Sequence, residues 1–336
     1  MSKKIINAPA DAVREMAEGF LAAYGDRYEQ IPGVAGLRVK ERKDKVAVVI
    51  GGGSGHEPTF AFMLGQNMAD ASASGNVFTS PDPNTILQTA LAANTGKGVL
   101  FVYGNYAGDN MNFDIAAEML EDMGIPSRTV RVHDDIASAP KGSEEERRGI
   151  AGGFFVIHTA GAAAAAGLSL DEVYQAACHA RDNVWSAGFS LAGVTLPGEK
   201  APIFTLPEDQ VEYGIGIHGE AGVQRMPLLS ADEMTTYIVD RLMEDSGLKS
   251  GDTVATLVNG LGAITLMEKL IMNRKLSLLL QERGVGVHTM DVGDYVTSLD
   301  MKGISISLLR LDDSLRGLHD TVCGAPFCFR NAPQLP

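Results

Sequence analysis

Apolar positions along this chain fall into two patterns. Short unbroken runs end in polar, glycine-bearing turns, and between them lie stretches where apolar residues return every third or fourth position. Residues 46–50 (VAVVI) and 98–103 (GVLFVY) are of the first kind, expected as strands covered on both faces of a sheet. Residues 10–24, with Val13, Met16, Phe20 and Tyr24, carry the helical period, as do residues 112–123, with Ile115, Ala116, Met119, Leu120 and Met123. Residues 59–67 also read as an apolar helical stretch, whereas 30–43 and 70–83 read as loops. Asp82 followed by Pro83 marks a helix start. A strand over 127–132 then completes a strand–turn–helix–strand unit, which makes the sheet at least partly parallel.

A helix is expected over 149–167, and Ser169 with Glu172 forms a capping box for the next. The second half continues with strands over 190–196, 253–258, 286–291 and 305–311. A capped helix follows Ser230 and Glu233, and a long one covers about 265–283. The expected class is α/β with two domains. Residues 1–185 form an N-terminal α/β sheet domain with parallel βαβ units, and 186–336 a second α/β domain with a mixed sheet; 336 residues suit that division. Within 211–220 (VEYGIGIHGE), strand alternation places Val211, Tyr213, Ile215 and Ile217 on one face. Glu212, Gly214, Gly216 and His218 fall on the other, so glycines clear the space beside the His218 ring.

The densest chemistry follows the first buried run. Gly51, Gly52, Gly53, Ser54 and Gly55 lead into His56, Glu57 and Pro58. Four glycines in five positions let the backbone turn sharply and let a ligand approach main-chain N–H groups. The spacing is not G-x-G-x-x-G, since position 56 is His56. It is not a nucleophile elbow around Ser54, and no lysine follows to make a Walker A loop. A second polar turn, 104–110 (GNYAGDN), ends the run 98–103, so Asp109 shares a sheet edge with His56, where ligands of open α/β sheets collect. An aspartate before a helix also serves as an N-cap, and Thr79 and Ser80 suit either ligand hydroxyls or a helix cap.

Composition narrows the classes. A formal charge of −14 argues against nucleic acid or an anionic membrane surface as partner. No apolar run is long enough to span a bilayer, and the first residues lack a signal-peptide core, so a cytoplasmic location is expected. Cys178, Cys323 and Cys328 read as reduced thiols. No metal-ligand cluster stands out.

The stretches GGGSGHEP, GNYAGDNMNFD and YGIGIHGE, in this order and at these separations, resemble the dihydroxyacetone kinase family, specifically its ketone-binding K subunit. The resemblance runs from about Lys4 to Pro326 and includes FTSP at 78–81, SGDTVATLVNGLGA at 250–263 and YVTSLDMKGISISLL at 295–309. It implies a covalent hemiaminal between His218 and the substrate carbonyl. Asp109 is then the general base toward the hydroxyl being phosphorylated, and His56 the partner assisting at the adduct oxygen. Gly53, Ser54, Gly55 and Ser80 complete the substrate contacts. It further implies that no nucleotide is bound by this chain. ATP or ADP with Mg²⁺ is expected on a separate L-type subunit, possibly recharged by a phosphotransferase-system phosphocarrier, and a homodimer is the expected assembly. Where many members carry a lysine before the Asn-Tyr pair, this chain has Gly104, which hints at a larger ketose such as erythrulose. Two other classes remain: a ketone-sensing co-regulator, and an oxidoreductase of Rossmann type, which the failed fingerprint disfavours.

Overall fold

The computed structural model describes residues 4–326 and 328–330. It divides into two compact units that are not consecutive halves. One contains residues 4–132, Phe155–Ala180 and 314 onward; the other contains His133–Phe154 and Arg181–Asp313. A single cut at 185/186 therefore separates segments that pack together, because both units are built from more than one stretch of chain.

The first unit is organised on a six-stranded sheet. Its strands are β1 (Tyr28–Gln30), β2 (Gly36–Val39), β3 (Ala47–Ser54), β4 (Ala71–Val77), β5 (Val99–Gly104) and β6 (Ser127–Val132), in the order β1-β2-β4-β3-β5-β6. β4, β3, β5 and β6 are mutually parallel, while β1 and β2 add antiparallel at one end. Around it lie α1 (Ala12–Tyr24), α2 (Pro83–Ala93), α3 (Ala107–Asp122), α4 (Gly153–Ala165) and α5 (Leu170–Asp182).

Two expected loops are strands. β2 is short and gives no alternation. β4, sequence ASASGNV, lacks the bulky residues that announce a strand, yet Ala71, Ser72 and Ala73 are fully buried. The region 59–67 is mostly turns, with one 3-10 turn at Ala61–Met63, because Gly65 and Asn67 leave helical space.

The apolar runs are covered on both faces. Ala47, Val49, Phe101 and Tyr103 pack with Ile86 and Leu87 of α2 and Phe113 and Leu120 of α3. Val48, Ile50, Leu100 and Val102 point the other way and are also buried. On α1, Phe20 meets Tyr24, Tyr28 and, edge-on, Phe62. Gly161 lets α4 lie against the backbone of 67–68, where a Cβ would stand 2.5 Å from the Met68 carbonyl oxygen.

The second unit has a mixed six-stranded sheet. Its strands are β7 (Val184–Ala192), β8 (Gln210–Tyr213), β9 (Gln224–Pro227), β10 (Thr253–Gly260), β11 (Gly286–Gly293) and β12 (Lys302–Arg310), ordered β11-β10-β12-β7-β8-β9. Only β10 and β11 are parallel, joined through α7 (Leu266–Glu282); α6 (Ala231–Ser246) packs beside α7. Both helices begin in full capping boxes, Ser230/Glu233 and Thr265/Glu268. Their core includes Ile238, Leu242, Leu276 and Leu280 against Val254, Val258, Ile304 and Ile306. After β12 come α8 (Asp313–His319) and two short strands, β13 (Cys323–Ala325) and β14 (Cys328–Arg330), in the remaining sheet. Cys178 and Cys323 are buried thiols; the side chain of Cys328 lies outside the described residues.

Candidate functional site

In the first unit the chemistry gathers where strand order reverses. From β3 the chain moves to β4 on one side; after β5 it moves to β6 on the other. The connections leave on opposite faces, as the neighbours of two adjacent glycines show. A Cβ on Gly51 would meet Phe113 of α3, and one on Gly52 would meet Phe60 of the β3–β4 connection. Such a switch point opens a crevice at the carboxyl ends of the strands. His56 follows β3 and Asp109 follows β5, so both stand at that edge.

The glycine turn is filled largely by the protein itself. A Cβ on Gly53 would lie 2.6 Å from the Thr79 amide nitrogen and 2.9 Å from Phe78 Cα, so the 78–82 loop seats directly on it. A Cβ on Gly75 would come within 1.8 Å of the Thr79 carbonyl oxygen. Ser54 Oγ donates to the Gly75 carbonyl at 2.8 Å, and the Phe78 amide donates to the Ser54 carbonyl at 2.9 Å. Gly55, at φ +101°, donates its N–H to both carboxylate oxygens of Glu57 at 3.0 Å. Burial pushes the Glu57 carboxyl up, against the downward pull of that Gly55 bond.

His56 is 1% exposed and lies flat on Phe78, ring centroids 4.9 Å apart and planes 9° apart. Phe78 takes φ +56°, a left-handed conformation unusual for an aromatic residue. Strain of this kind costs about 1–3 kcal/mol and clusters at ligand sites. The stack therefore holds the imidazole orientation with the same loop that bears Ser80. Ser80 Cβ would be 3.6 Å from a Cβ on Gly108, the residue before Asp109. Asn112 of α3 donates to the Pro81 carbonyl at 2.9 Å, tying that loop to the helix.

α3 begins at Ala107, five residues earlier than its periodicity suggests, and Tyr106 holds the cap position. Asp109 is thus inside the first turn and not the N-cap. Its carboxylate sits at the positive end of the helix dipole and is 9% exposed. Asn105 and Asn110 are joined side chain to side chain at 2.8 Å, and the Asn105 amide donates to Val132, which fixes the turn before Asp109.

His218 belongs to the second unit. Alternation does not carry through 211–220: β8 stops at Tyr213 because Gly214 takes φ +78°, and residues 214–222 form a loop. The loop is braced from three sides. Arg148 pairs with Asp135 at 2.8 Å and donates to the Gly214 carbonyl at 2.8 Å. Glu212 accepts from the Gly222 amide at 2.8 Å while pairing with Arg225 at 2.9 Å. Glu220 accepts from the His218 amide at 2.9 Å and lies 3.0 Å from His218 Nδ1.

That last contact decides the ring chemistry. A carboxylate can only accept, so Nδ1 carries the proton and, in the neutral ring, the lone pair is on Nε2. Burial raises the Glu220 carboxyl, but the hydrogen bonds from His218, reinforced by the ring's charge whenever it is protonated, overturn this and hold it at about 2. Gly216 is what lets the carboxylate in, since a Cβ there would stand 2.1 Å from Glu220 Oε2 and 2.5 Å from Arg148 Nη1.

Of the residues singled out in sequence, His56 and Ser80 lie in turns of the first unit, Asp109 in the first turn of α3, and His218 in the 214–222 loop of the second; sequence reasoning placed Asp109 before the helix and His218 at a strand end. It passed over Phe78, Glu57, Gly75 and the Asp135–Arg148 brace. Only FTSP carried any signal for the first of these. Among the described residues, no group of three or more His, Cys, Asp or Glu side chains could hold a metal ion, and no helix is long and apolar enough to cross a membrane.

Comparison with known proteins agrees with this architecture. Residues 18–327 match the Dak1 domain, so the chain belongs to the Dak1 family. It is 44% identical over 328 residues, 97% of this chain and 98% of the other, to the dihydroxyacetone-binding subunit DhaK of PTS-dependent dihydroxyacetone kinase 2 from Listeria innocua. It is 40% identical to the L-erythrulose kinase of Pectobacterium atrosepticum, covering 99% of this chain but 57% of that protein. Among solved structures, the dihydroxyacetone kinase of C. freundii superposes with TM-score 0.91 at 29% identity, over 100% of this chain and 62% of that one. The operon co-activator Dha-DhaQ gives TM-score 0.88 at 32% identity, over 93% of this chain and 97% of that one.

Proposed function

We propose that this chain is the ketose-binding subunit of a dihydroxyacetone-kinase-type phosphotransferase. The observation that carries the reading is the Glu220–His218 contact, which leaves a nucleophilic lone pair on Nε2. Nε2 adds to the ketone carbon and the carbonyl π pair moves to oxygen, which takes a proton from solvent while Nδ1 keeps its own against Glu220. The product is a hemiaminal whose imidazolium charge is balanced by that carboxylate. A bond that demands an electrophilic carbon excludes glycerol, which a pocket of similar size would reject poorly by shape. His56, oriented by Phe78, serves the adduct oxygen. Asp109 takes the proton of the terminal hydroxyl as it attacks phosphorus, and Gly53, Ser54, Gly55 and Ser80 shape the substrate edge. Phosphoryl transfer also needs a nucleotide and charge neutralisation; ATP or ADP with Mg²⁺ on an L-type subunit supplies both, with a phosphotransferase-system phosphocarrier as the recharging donor in the second case. Gly104, which ends β5, leaves room for erythrulose beside dihydroxyacetone.

Native intact-mass titration with dihydroxyacetone and both erythrulose enantiomers tests this. The wild type should gain one ketose and His218→Ala none, and phosphorylated ketose should form only when an L-type subunit and its donor are added. Equal ketose binding by His218→Ala would refute the covalent step. The similarity to an operon co-activator favours a second reading, a ketone sensor. Adduct formation on His218 with no phosphorylation by any L-type subunit would select it.

A further inference from the structure

Asp135 and Arg148 form an ion pair to which the reaction above gives no task. Arg148 Nη2 and Nε both donate to Asp135 Oδ2, at 2.8 and 3.1 Å, and the two side chains are 15% and 2% exposed. A buried pair of this kind gains little over well-packed apolar residues, because desolvation cancels most of its attraction. The chain nevertheless holds it firmly. The Asp135 amide donates to the Arg148 carbonyl at 3.0 Å. Ser138 Oγ donates to the Asp135 carbonyl at 2.8 Å and accepts from the Arg148 amide at 2.9 Å. Asp135 Oδ1 accepts from the Ala137 amide at 3.1 Å, which fixes the carboxylate toward the guanidinium.

What the guanidinium faces supplies the task. Arg148 Nη2 also reaches the Gly214 carbonyl at 2.8 Å, which brings it against the 214–222 loop. A Cβ on Gly216 would stand 2.5 Å from Arg148 Nη1 and 2.1 Å from Glu220 Oε2, so guanidinium and carboxylate face each other across that glycine. Such groups ordinarily join in a two-pronged, charge-assisted bond, stronger than a carboxylate makes to a neutral ring. Glu220 instead keeps Oε1 3.0 Å from His218 Nδ1, and the ion pair of Arg148 is with Asp135. Burial pushes the Asp135 carboxyl up to about 6, against the pull of Arg148, so it is ionised at about pH 8.

Given His218 as the nucleophile toward the ketone, we propose that Asp135 is a positioning residue for the ketose site. It occupies Arg148 and keeps that cation off Glu220, so the carboxylate stays with Nδ1 and the lone pair stays on Nε2. Choosing one contact over another often takes an element that blocks the wrong pairing, and the pairing blocked here is Arg148 with Glu220. Without the Asp135 charge, the guanidinium turns to Glu220 and Nδ1 loses its acceptor. The ring then takes either tautomer, and the Nε2–H form has no lone pair to add to a carbonyl.

The test sets the two members of the pair against each other at about pH 8. Imidazole nitrogen NMR spectra of the full chain without ketose read the His218 tautomer, and native intact-mass titration with dihydroxyacetone reads affinity. The wild type should show Nδ1–H. Asp135→Asn should shift His218 toward the Nε2–H form and raise the ketose dissociation constant at least ~5-fold. Arg148→Gln, which removes the competing cation, should keep the wild-type tautomer. Asp135→Asn/Arg148→Gln should bring the affinity back to within ~2-fold of wild type. A pair that only braced the loop would respond alike to loss of either member, and most to loss of both. Arg225→Gln, which releases the other brace at Glu212 without bringing a cation toward Glu220, should leave the tautomer unchanged. Far-UV spectra and urea midpoints on every variant separate these effects from loss of fold; if Asp135→Asn does not fold, Arg148→Gln and the double variant still decide. An unchanged tautomer in folded Asp135→Asn, or an Nε2–H ring in Arg148→Gln, would overturn the inference. If the wild type has the Nδ1–H ring but takes up no ketose, the covalent reading fails, while the tautomers still decide whether Asp135 holds Arg148 off Glu220.

Discussion

Removing the Glu220 carboxylate should weaken ketose binding without unfolding the protein, by an amount the structure sets. A carboxyl held at about 2 against its ordinary 4.5 corresponds to about 3 kcal/mol between its charged and neutral forms if fully shielded. The Glu220 side chain is 36% exposed and the His218 ring 24%, so solvent screening lowers this to about 1–2 kcal/mol. Glu220→Ala removes both the charge and the acceptor for Nδ1–H. It should raise the ketose dissociation constant ~5–30-fold, while the melting temperature moves by no more than ~5 °C. Glu220→Gln keeps an acceptor and should fall between. The sign with pH comes from the lowered carboxyl. Its contribution is fully present above 4.5 and is lost as pH falls toward 2, so Glu220 itself adds no pH dependence to binding between about 5 and 8. Native mass titration supplies the affinities. If Glu220→Ala bound ketose as tightly as the wild type while His218→Ala bound none, Glu220 would not be positioning the ring.

Two predictions concern the scaffold. Gly75→Ala forces a Cβ into the Thr79 carbonyl oxygen, which must displace the 78–82 loop and the Phe78–His56 stack. We expect a loss of ~1–3 kcal/mol in stability and a larger proportional loss of phosphorylation, read by urea midpoint and coupled assay; unchanged activity would show that the stack is dispensable. Arg147 is 1% exposed and holds Asp245 through two bonds, at 2.9 and 2.6 Å. Arg147→Ala strands that carboxylate and should cost ~3–5 kcal/mol, seen as a large drop in urea midpoint; a drop under ~1 kcal/mol would mean that water replaces the guanidinium.

Long apolar runs and capping boxes were legible because they report local physics. β3, β5, α2, α6 and α7 fall within a few residues of their expected positions for that reason. β4 was not legible, because its constraint is tertiary. Between β2 and β3, with α2 across its face, there is room only for Ala71, Ser72 and Ala73, and small residues look like a loop in sequence. The start of α3 was missed because Ala107–Asn110 is polar and carries no apolar stripe. That five-residue difference changes Asp109 from an end cap to a carboxylate inside the first turn. Residues 214–218 were read as continuing the strand because period-two apolar spacing is indifferent to φ, and Gly214 at +78° ends the strand even though Ile215 and Ile217 keep the alternation going.

The glycines show where a motif can be right in place and different in cause. In sequence, four glycines after a buried strand suggest main chain laid open for a ligand. In the folded chain, Gly51 faces Ala73 and Phe113, Gly52 faces Phe60, and Gly53 faces the backbone of 78–79. These three positions are small because neighbouring protein occupies the space, as Gly216 is small because Glu220 and Arg148 do. Glycine here brings a second segment close enough to orient an imidazole: the 78–82 loop for His56, the Glu220 carboxylate for His218. A Cβ at Gly53 or Gly216 would therefore act on the histidine it serves, through a displaced loop or carboxylate, and not by filling the place of the ketose.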